Sequence, residues 1–483
     1  MNNLKFQFNK KSHEKYYIQL YKIFSNAILS EGLKSGSKMP SIRKTALDLK
    51  ININTVLQAY NLLEQNGLIE KIHGKGCYVK NISDFSLDKK LKPLIDNFKF
   101  GQIIKNKVIN FSNGTPPSEY FPAAIYQELS NKIINSYHGE IFSYQDFQGV
   151  LSLRKVLSDE LEKDDIFVNP EEIIVTSGTQ QSLDIILKLF KNSSNLTVAL
   201  SAPTYPNALN IFSNSCKIKS INLKNDGWDL KEFEEILKQE KIKLVYEVFN
   251  FQNPTGVKWS DSKKNELLKL AEKYNFYIIE DDSFSEFYYT GNKPFPLKSF
   301  DRTDHERVIY VKTYSKSIMP GLGLALLIPP KKLVEKAIFI KYGLDTNTSG
   351  LNQKILELFI KDGYLEDHLI FLRNEFKEKY LYMLKLLSSV PYITVLNVPE
   401  GGFFIWILLS KHIKGELFYE KCKESNLSIL PGSVFYNDQL STYKIRLTFV
   451  SADLFEIENG INIIKNILLR CSPPKNIHSK TIV

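Results

Sequence analysis

Val311-Lys312-Thr313-Tyr314-Ser315-Lys316-Ser317-Ile318-Met319-Pro320-Gly321 is the stretch that decides how the rest of the chain is read. It follows the apolar, β-favouring run Val308-Ile309-Tyr310 and is cut short by Pro320 and Gly321, a pattern that predicts a strand end entering a tight loop. Lys316 between two serines at such a point offers an amine able to condense with a carbonyl cofactor. The small hydroxyl residues beside it can hydrogen-bond a phosphate. Taken alone, Ser-Lys-Ser is also the composition of a solvated surface loop, so its meaning depends on the other strand ends.

From Val108 onward, apolar strand candidates alternate with amphipathic segments such as 181–191 and 262–274. The strand candidates are 173–176, 197–200, 244–248, 277–280 and 308–311. The alternation predicts a mostly parallel sheet covered by helices, with a ligand outside the strands' carboxyl ends. The residues after those strands suit that position. Ser177-Gly178-Thr179 opens a helix whose free amides can receive a phosphate. Tyr205 places an aromatic ring over the same crevice. Asn253-Pro254-Thr255-Gly256 forms a turn whose Asn can meet a phenolic oxygen, and Asp281 offers a carboxylate to a ring N–H⁺.

In this order and spacing the segments resemble the fold type I pyridoxal-phosphate aminotransferases over about residues 108–470, with Met319-Pro320-Gly321-Leu322, Phe121-Pro122, Tyr144 with Gly149 and Arg154, and Lys444-Ile445-Arg446-Leu447 extending the likeness. The resemblance implies that Lys316 attaches the cofactor covalently, that Asp281 holds the pyridine nitrogen protonated, that Asn253 contacts the ring oxygen and that Tyr205 stacks on the ring. It also implies phosphate binding by Ser177, Gly178, Thr179, Thr313 and Ser315. Tyr144 would approach the phosphate in a partner subunit, and Arg446 would fork onto a substrate or effector carboxylate. Two positions depart from the pattern: Ser283 stands where the family usually has a ring-contacting Tyr, and Gly323 where it usually has a phosphate-binding Arg.

The first 80 residues read differently. Residues 16–30 carry apolar side chains at helical spacing, Ser41 can cap a second helix and Asn52 a third, with Val56, Ala59, Tyr60 and Leu63 inward. Leu68 to Ile72 and Cys77 to Val79 are short strands joined by His73-Gly74-Lys75-Gly76. Three helices and a basic β-wing make a winged helix-turn-helix, and 33–43, Asn54-Thr55-Val56 and Gly67-Leu68-Ile69-Glu70 resemble the GntR family of bacterial DNA-binding domains. That resemblance implies double-stranded DNA contacts by Arg43, Asn54, Thr55, His73 and Lys75. Ile53 stands where the family often has arginine, so base reading shifts toward Asn54 and Gln58.

Charge separates the same two parts. Residues 1–107 hold 19 Lys+Arg against 8 Asp+Glu, whereas the remainder holds 44 against 45. A basic excess confined to one end fits a polyanion-binding module joined to a neutral one. Hydrophobic content of 43% supports a large packed core. No apolar run approaches the ~20 residues needed to span a bilayer. The lysine-bearing N-terminus does not read as a signal peptide, and four scattered cysteines show neither metal nor disulfide spacing, which fits a reducing cytoplasm.

The chain thus reads as α/β in class, with a winged helix-turn-helix at 13–80, a basic tether at 81–107 and an aminotransferase-like domain at 108–470 that includes a smaller α+β subdomain. A GntR-type domain fused to an aminotransferase-like one resembles the MocR family of transcriptional regulators. The resemblance implies a homodimeric DNA-binding regulator that senses pyridoxal 5′-phosphate, or an amine or amino acid reacting with it. Two alternatives stay open: a working aminotransferase acting between an amino acid and a 2-oxo acid, and a regulator whose large domain only dimerises.

Overall fold

The computed structural model describes residues 16–29, 33, 36–65, 68–72, 76–79, 108–191, 196–302, 306–345, 347–410, 413–438 and 442–471. The chain separates into two compact units, 1–89 and 90–483. His73, Lys75 and the tether at 81–107 lie outside the described residues.

In the N-terminal unit, α1 (Tyr16–Leu29), α2 (Ile42–Leu49) and α3 (Ile53–Gln65) precede the antiparallel strands β1 (Ile69–Ile72) and β2 (Gly76–Val79). Helical spacing puts Val56, Ala59, Tyr60 and Leu63 on one face of α3. All four are fully buried against a core that includes Leu20, Phe24 and Ile28. Each buried side chain of Leu or Phe size contributes about 1.5–3 kcal/mol, so this small unit rests on few residues. Ser41 Oγ accepts from the Lys44 amide at 3.2 Å, and Asn52 Oδ1 accepts from the Asn54 amide at 2.8 Å, which fixes where α2 and α3 begin.

The C-terminal unit begins with β3 (Ile109–Asn110) and continues through β4 (Ile174–Thr176), β5 (Thr197–Ala202), β6 (Lys217–Lys224), β7 (Gly227–Trp228), β8 (Leu244–Glu247), β9 (Tyr277–Asp282), β10 (Val308–Thr313) and β11 (Ala325–Ile328). Strands β4 to β11 form an eight-stranded sheet in the order β4-β11-β10-β9-β8-β5-β6-β7. Neighbours from β10 to β6 run parallel, whereas β11 is antiparallel to both β10 and β4. Every residue of β4, β8, β9, β10 and β11 is buried, the expected result of covering both faces with helices.

Sequence periodicity did not pick out β6, β7 or β11. β6 is mostly exposed and lies next to the edge strand β7, and β11 is a short apolar run. Its place next to β10 follows from the loop at 314–324, which turns back so that Thr313 pairs with Ala325. A second sheet of β12 (Ile393–Val395), β13 (Phe404–Leu409), β15 (Leu430–Pro431) and β16 (Lys444–Thr448), in the order β12-β13-β16-β15, builds the smaller subdomain. There β14 (Leu427–Ser428) pairs in parallel with β3, which ties the start of this unit to its C-terminal third.

Candidate cofactor and effector site

Because β4, β5, β8, β9 and β10 point the same way, their carboxyl ends share one edge of the sheet. Ser177 to Thr179, Tyr205, Asn253, Asp281 and Thr313 to Lys316 all fall at or just beyond that edge. Ala325 pairs with Thr176 on one side and Thr313 on the other, so the Ser177 and Ser315 segments leave the sheet at one level.

Two lysines stand four residues apart on this strand end, and their surroundings give them opposite chemistry. Lys312 Nζ meets Glu286 at 2.7 Å and Asp164 at 3.1 Å. Burial works to lower its pKa, yet Glu286, Tyr310 and Asp164 hold it well above the ordinary lysine value. Lys316 Nζ instead donates to the Gly114 carbonyl at 2.8 Å. Burial, with the nearby Arg446 guanidinium, pulls its pKa down to about 8, while Asp281 pulls the other way. Lys316 is therefore the lysine with an accessible neutral amine, and Lys312 is a permanent cation in an ion cluster.

Asp281 is buried and accepts from Ser283 Oγ at 2.5 Å and Tyr246 Oη at 2.9 Å. Burial raises its pKa to about 6 in spite of those two donors, so it is mostly ionised at neutral pH. Tyr205 is pushed up to about 12 by burial and by the Asp281 charge, and its hydroxyl accepts from Asn207 Nδ2 at 3.0 Å. Arg446, also buried, donates from Nη1 to Asn253 Oδ1 at 2.9 Å and from Nη2 to the Ser112 carbonyl, while its Nε has no hydrogen-bond partner. Its guanidinium lies 4.2 Å from the Phe404 ring centroid and 5.3 Å from that of Phe435. Burial lowers its pKa to about 9, which still leaves a cation at neutral pH.

The phosphate end is built more sparsely. Gly178 caps the helix Thr179–Phe190 with φ of 140°, a backbone that favours glycine, and a Cβ there would meet nothing within 4 Å. That open space in front of a helix N-terminus fits a phosphate. Ser177 is exposed, with its amide donating to Gln181 Oε1 at 2.8 Å, and Thr313 Oγ1 accepts from the Ser315 amide at 3.2 Å. Gly323, in the left-handed region at φ of 59°, brings no cation. Tyr144 is 84% exposed.

Periodicity and motif spacing did not reveal Tyr246, Ser112 or Gly114. Tyr246 looks like any buried strand residue until its hydroxyl is seen on Asp281. Ser112 and Gly114 act through backbone carbonyls, which carry no residue signature. In the N-terminal unit, Arg43, Asn54 and Gln58 are exposed and Thr55 is half-buried. Ile53, at the arginine position of the GntR pattern, is 51% exposed. Among the described residues no group of His, Cys, Asp or Glu could hold a metal ion, and no helix is long and apolar enough to cross a membrane.

The lysine amine and the buried carboxylate at the carboxyl edge of the eight-stranded sheet thus stand near a guanidinium carried by β16 of the second sheet. Residues 106–464 match the model of aminotransferase class I and II, and residues 16–79 match that of the bacterial regulatory proteins of the gntR family. The uncharacterized HTH-type transcriptional regulator YdfD of Bacillus subtilis (strain 168) is 31% identical over 445 residues, covering 88% of this chain and 90% of YdfD. Aromatic-amino-acid aminotransferase 1 of Thermococcus litoralis is 30% identical over 394 residues, covering 80% of this chain and 93% of the enzyme. The crystal structure of Pyrococcus horikoshii kynurenine aminotransferase, in complex with PMP, superposes with a TM-score of 0.74 at 29% identity, covering 81% of this chain and 98% of that one. The chain belongs to the class I and II aminotransferase family and, with its gntR-family domain, is a DNA-binding transcriptional regulator of the MocR type.

Proposed function

We propose that the C-terminal unit binds pyridoxal 5′-phosphate at Lys316, and that this cofactor, or an amine or amino acid reacting with it, sets the DNA affinity of the N-terminal unit. The observation that carries the reading is the convergence of three groups: Lys316, its pKa brought down to about 8 by burial and by Arg446, and Asp281 and Arg446, which keep their charges at neutral pH in spite of burial. In this reading Asp281 faces the pyridine nitrogen, and Asn253 and Tyr205 position the ring. Ser177, Gly178, Thr179, Thr313 and Ser315 take the phosphate, and Arg446 takes an effector carboxylate. Bound there, the cofactor would supply an electron-withdrawing ring able to stabilise negative charge beside an amine.

Several further parts belong to the same reading. The functional divisions are 13–80, 81–107 and 108–470. Arg43, Asn54, Thr55 and Gln58, with His73 and Lys75, contact double-stranded DNA. A homodimer is supported by the exposed aromatic side chains of Phe142 (63%), Tyr144 (84%) and Phe339 (76%), with Tyr144 reaching the partner's phosphate. A cytoplasmic location suits the free cysteines Cys77, Cys216, Cys422 and Cys471.

The test is gel-shift affinity for operator DNA with and without pyridoxal 5′-phosphate and candidate amines. Affinity that responds to one of them is expected, and affinity unchanged throughout would sink the sensing role. A working aminotransferase is the second reading, favoured by the Arg446–Asn253 arrangement and opposed by Gly323 and Ser283. A half-reaction assay separates the two: rapid conversion of the cofactor by amino acids, abolished in Lys316→Ala, would reverse the ranking.

A further inference from the structure

The two cations of the site have a second occupation. Lys316 Nζ donates to the carbonyl of Gly114 at 2.8 Å, and Arg446 Nη2 donates to the carbonyl of Ser112, two residues earlier. Both carbonyls belong to one short segment that leads out of β3. Upstream, the chain is firmly fixed: the Phe111 amide donates to Ser428 O at 2.8 Å, and Phe111 O accepts from the Thr448 amide at 2.9 Å. Asn110 Oδ1 then accepts from the amides of Ser112 and Asn113 at 3.0 and 3.2 Å. Beyond that turn, no backbone–backbone hydrogen bond holds Gly114, Thr115 or Pro116 among the described residues. In sequence, this segment follows β3, a few residues beyond the tether.

We infer that Ser112–Pro116 is a strap held by Lys316 and Arg446, and that ligand occupancy of the site is read out as its release. The inference rests on the proposed cofactor role of Lys316, and it concerns how occupancy leaves the site. The competition is chemical. Condensation of the neutral Lys316 amine with an aldehyde forms a C=N bond, and both amine hydrogens leave with the carbonyl oxygen as water. A nitrogen that gains a proton afterwards has one N–H, fixed in the plane of the double bond, in place of three that rotate freely. A carboxylate drawn to the guanidinium competes in the same way for Arg446 Nη2. Each cation that is engaged elsewhere removes one of the strap's side-chain anchors, and the bonds of Ser112 to Asn110 Oδ1 and Ser428 Oγ then hold only its upstream end. Reciprocity requires the converse: a weakened strap must bind ligand more tightly.

Gly114 supplies a variant that leaves every proposed ligand-contacting side chain in place. A Cβ at Gly114 would lie 2.8 Å from Cζ and 2.9 Å from Cε1 of Phe404. That ring is buried and carries Arg446 on its face, so the weakly bonded strap is the part that gives way. The experiment is hydrogen–deuterium exchange of peptides spanning 111–118 in the full-length protein, with pyridoxal 5′-phosphate as probe and covalent attachment followed by borohydride reduction. The expected result is several-fold faster exchange at Ser112 and Asn113, whose amides Asn110 Oδ1 holds, on addition of pyridoxal 5′-phosphate to the wild type. Gly114→Ala should exchange fast from the outset, respond no further, and bind the probe about ten-fold more tightly, the scale of one charge-assisted hydrogen bond. Attachment to Lys316 with exchange unchanged or slowed overturns the strap and leaves the cofactor reading standing. Absence of any attachment to Lys316 overturns both. The wild-type comparison stands alone if Gly114→Ala fails to fold.

Discussion

The two ends of the site are built on different physical terms. At the ring end, Asp281, Lys316 and Arg446 are charged groups set among buried aromatic rings, and hydroxyl, amide or carbonyl partners engage each of them. At the other end, the proposed phosphate cradle consists of hydroxyls, amides and Gly178, with Ser177 open to solvent and Gly323 where the family pattern carries an arginine. A charge in a low-dielectric pocket gains most from a fixed partner, whereas neutral donors at a solvated edge compete with water. The contrast suits a protein that holds a ligand by one covalent bond and a ring clamp and lets its affinity depend on conditions. A dedicated enzyme would grip the phosphate with a fixed cation.

The largest effect tests the covalent bond itself. Lys316→Ala should abolish the absorbance band expected near ~420 nm for a lysine-bound cofactor, together with any adduct fixed by borohydride. A band that survives in Lys316→Ala would move the anchor to another lysine. Lys312 is a poor candidate, because Glu286 and Asp164 keep it protonated. Attachment in the wild type should slow as pH falls below about 8, where the Lys316 amine is held as ammonium. Its pKa sits there because burial and Arg446 lower it. Arg446→Met should accordingly shift the midpoint of the attachment rate to higher pH, and a pH–rate profile reads the shift directly.

Next in size is the ring clamp. Asp281→Asn removes the charge opposite the proposed pyridine nitrogen, and losing a charged hydrogen bond costs about 1.5–3 kcal/mol. Cofactor affinity should drop about ten- to a hundred-fold in a spectral titration. The same change removes the carboxylate that raises the Lys316 pKa, so the attachment midpoint should move to lower pH, opposite in sign to Arg446→Met. Tyr246→Phe should act more gently. It deletes one of two donors to the Asp281 carboxylate and leaves the other, Ser283, in place; the cofactor feels that loss only through Asp281, so ~1 kcal/mol, or about five-fold in affinity, is expected. An effect as large as that of Asp281→Asn would show that Ser283 cannot hold the carboxylate alone.

These residues also show how far the chain could be read before its structure. Lys316, Asp281 and Arg446 stand out in sequence because charged residues beside apolar strand runs are conspicuous, and their spacing fitted a known pattern. The five strand ends followed from β-branched runs, and the winged helix followed from helical spacing at Val56, Ala59, Tyr60 and Leu63. What sequence could not supply was lateral pairing. Only the sheet order places β11 between β4 and β10, and only side-chain geometry turns Tyr246 toward Asp281. The strap carbonyls were invisible for a related reason, since every residue has a carbonyl and only the fold says which one a cation meets.

The smallest expected effect is also the one that addresses the contrast between the two ends most directly. Gly323→Arg would restore a cation where the family pattern carries one, and a charge-assisted bond to phosphate is worth about 1.5–3 kcal/mol. The substitution also strains the backbone: at φ of 59° a non-glycine residue costs roughly 1–2 kcal/mol, while the open space around the position adds no clash. The backbone cost is the same with and without cofactor and so falls on stability; the binding gain is cut instead by the rotamer freedom a long side chain loses at a solvated edge, and Gly323→Arg should tighten cofactor binding by only about three-fold. Gly323→Ala isolates the strain, since it carries the same backbone cost and no charge. Its melting temperature should fall alongside that of Gly323→Arg, while its cofactor affinity should not rise. If Arg and Ala bind the cofactor equally, residue 323 does not face the phosphate, and the weakness of that end then has a source other than the missing arginine. If Arg exceeds Ala by ten-fold or more, that one glycine accounts for most of the difference between a site that lets its ligand go and one that keeps it.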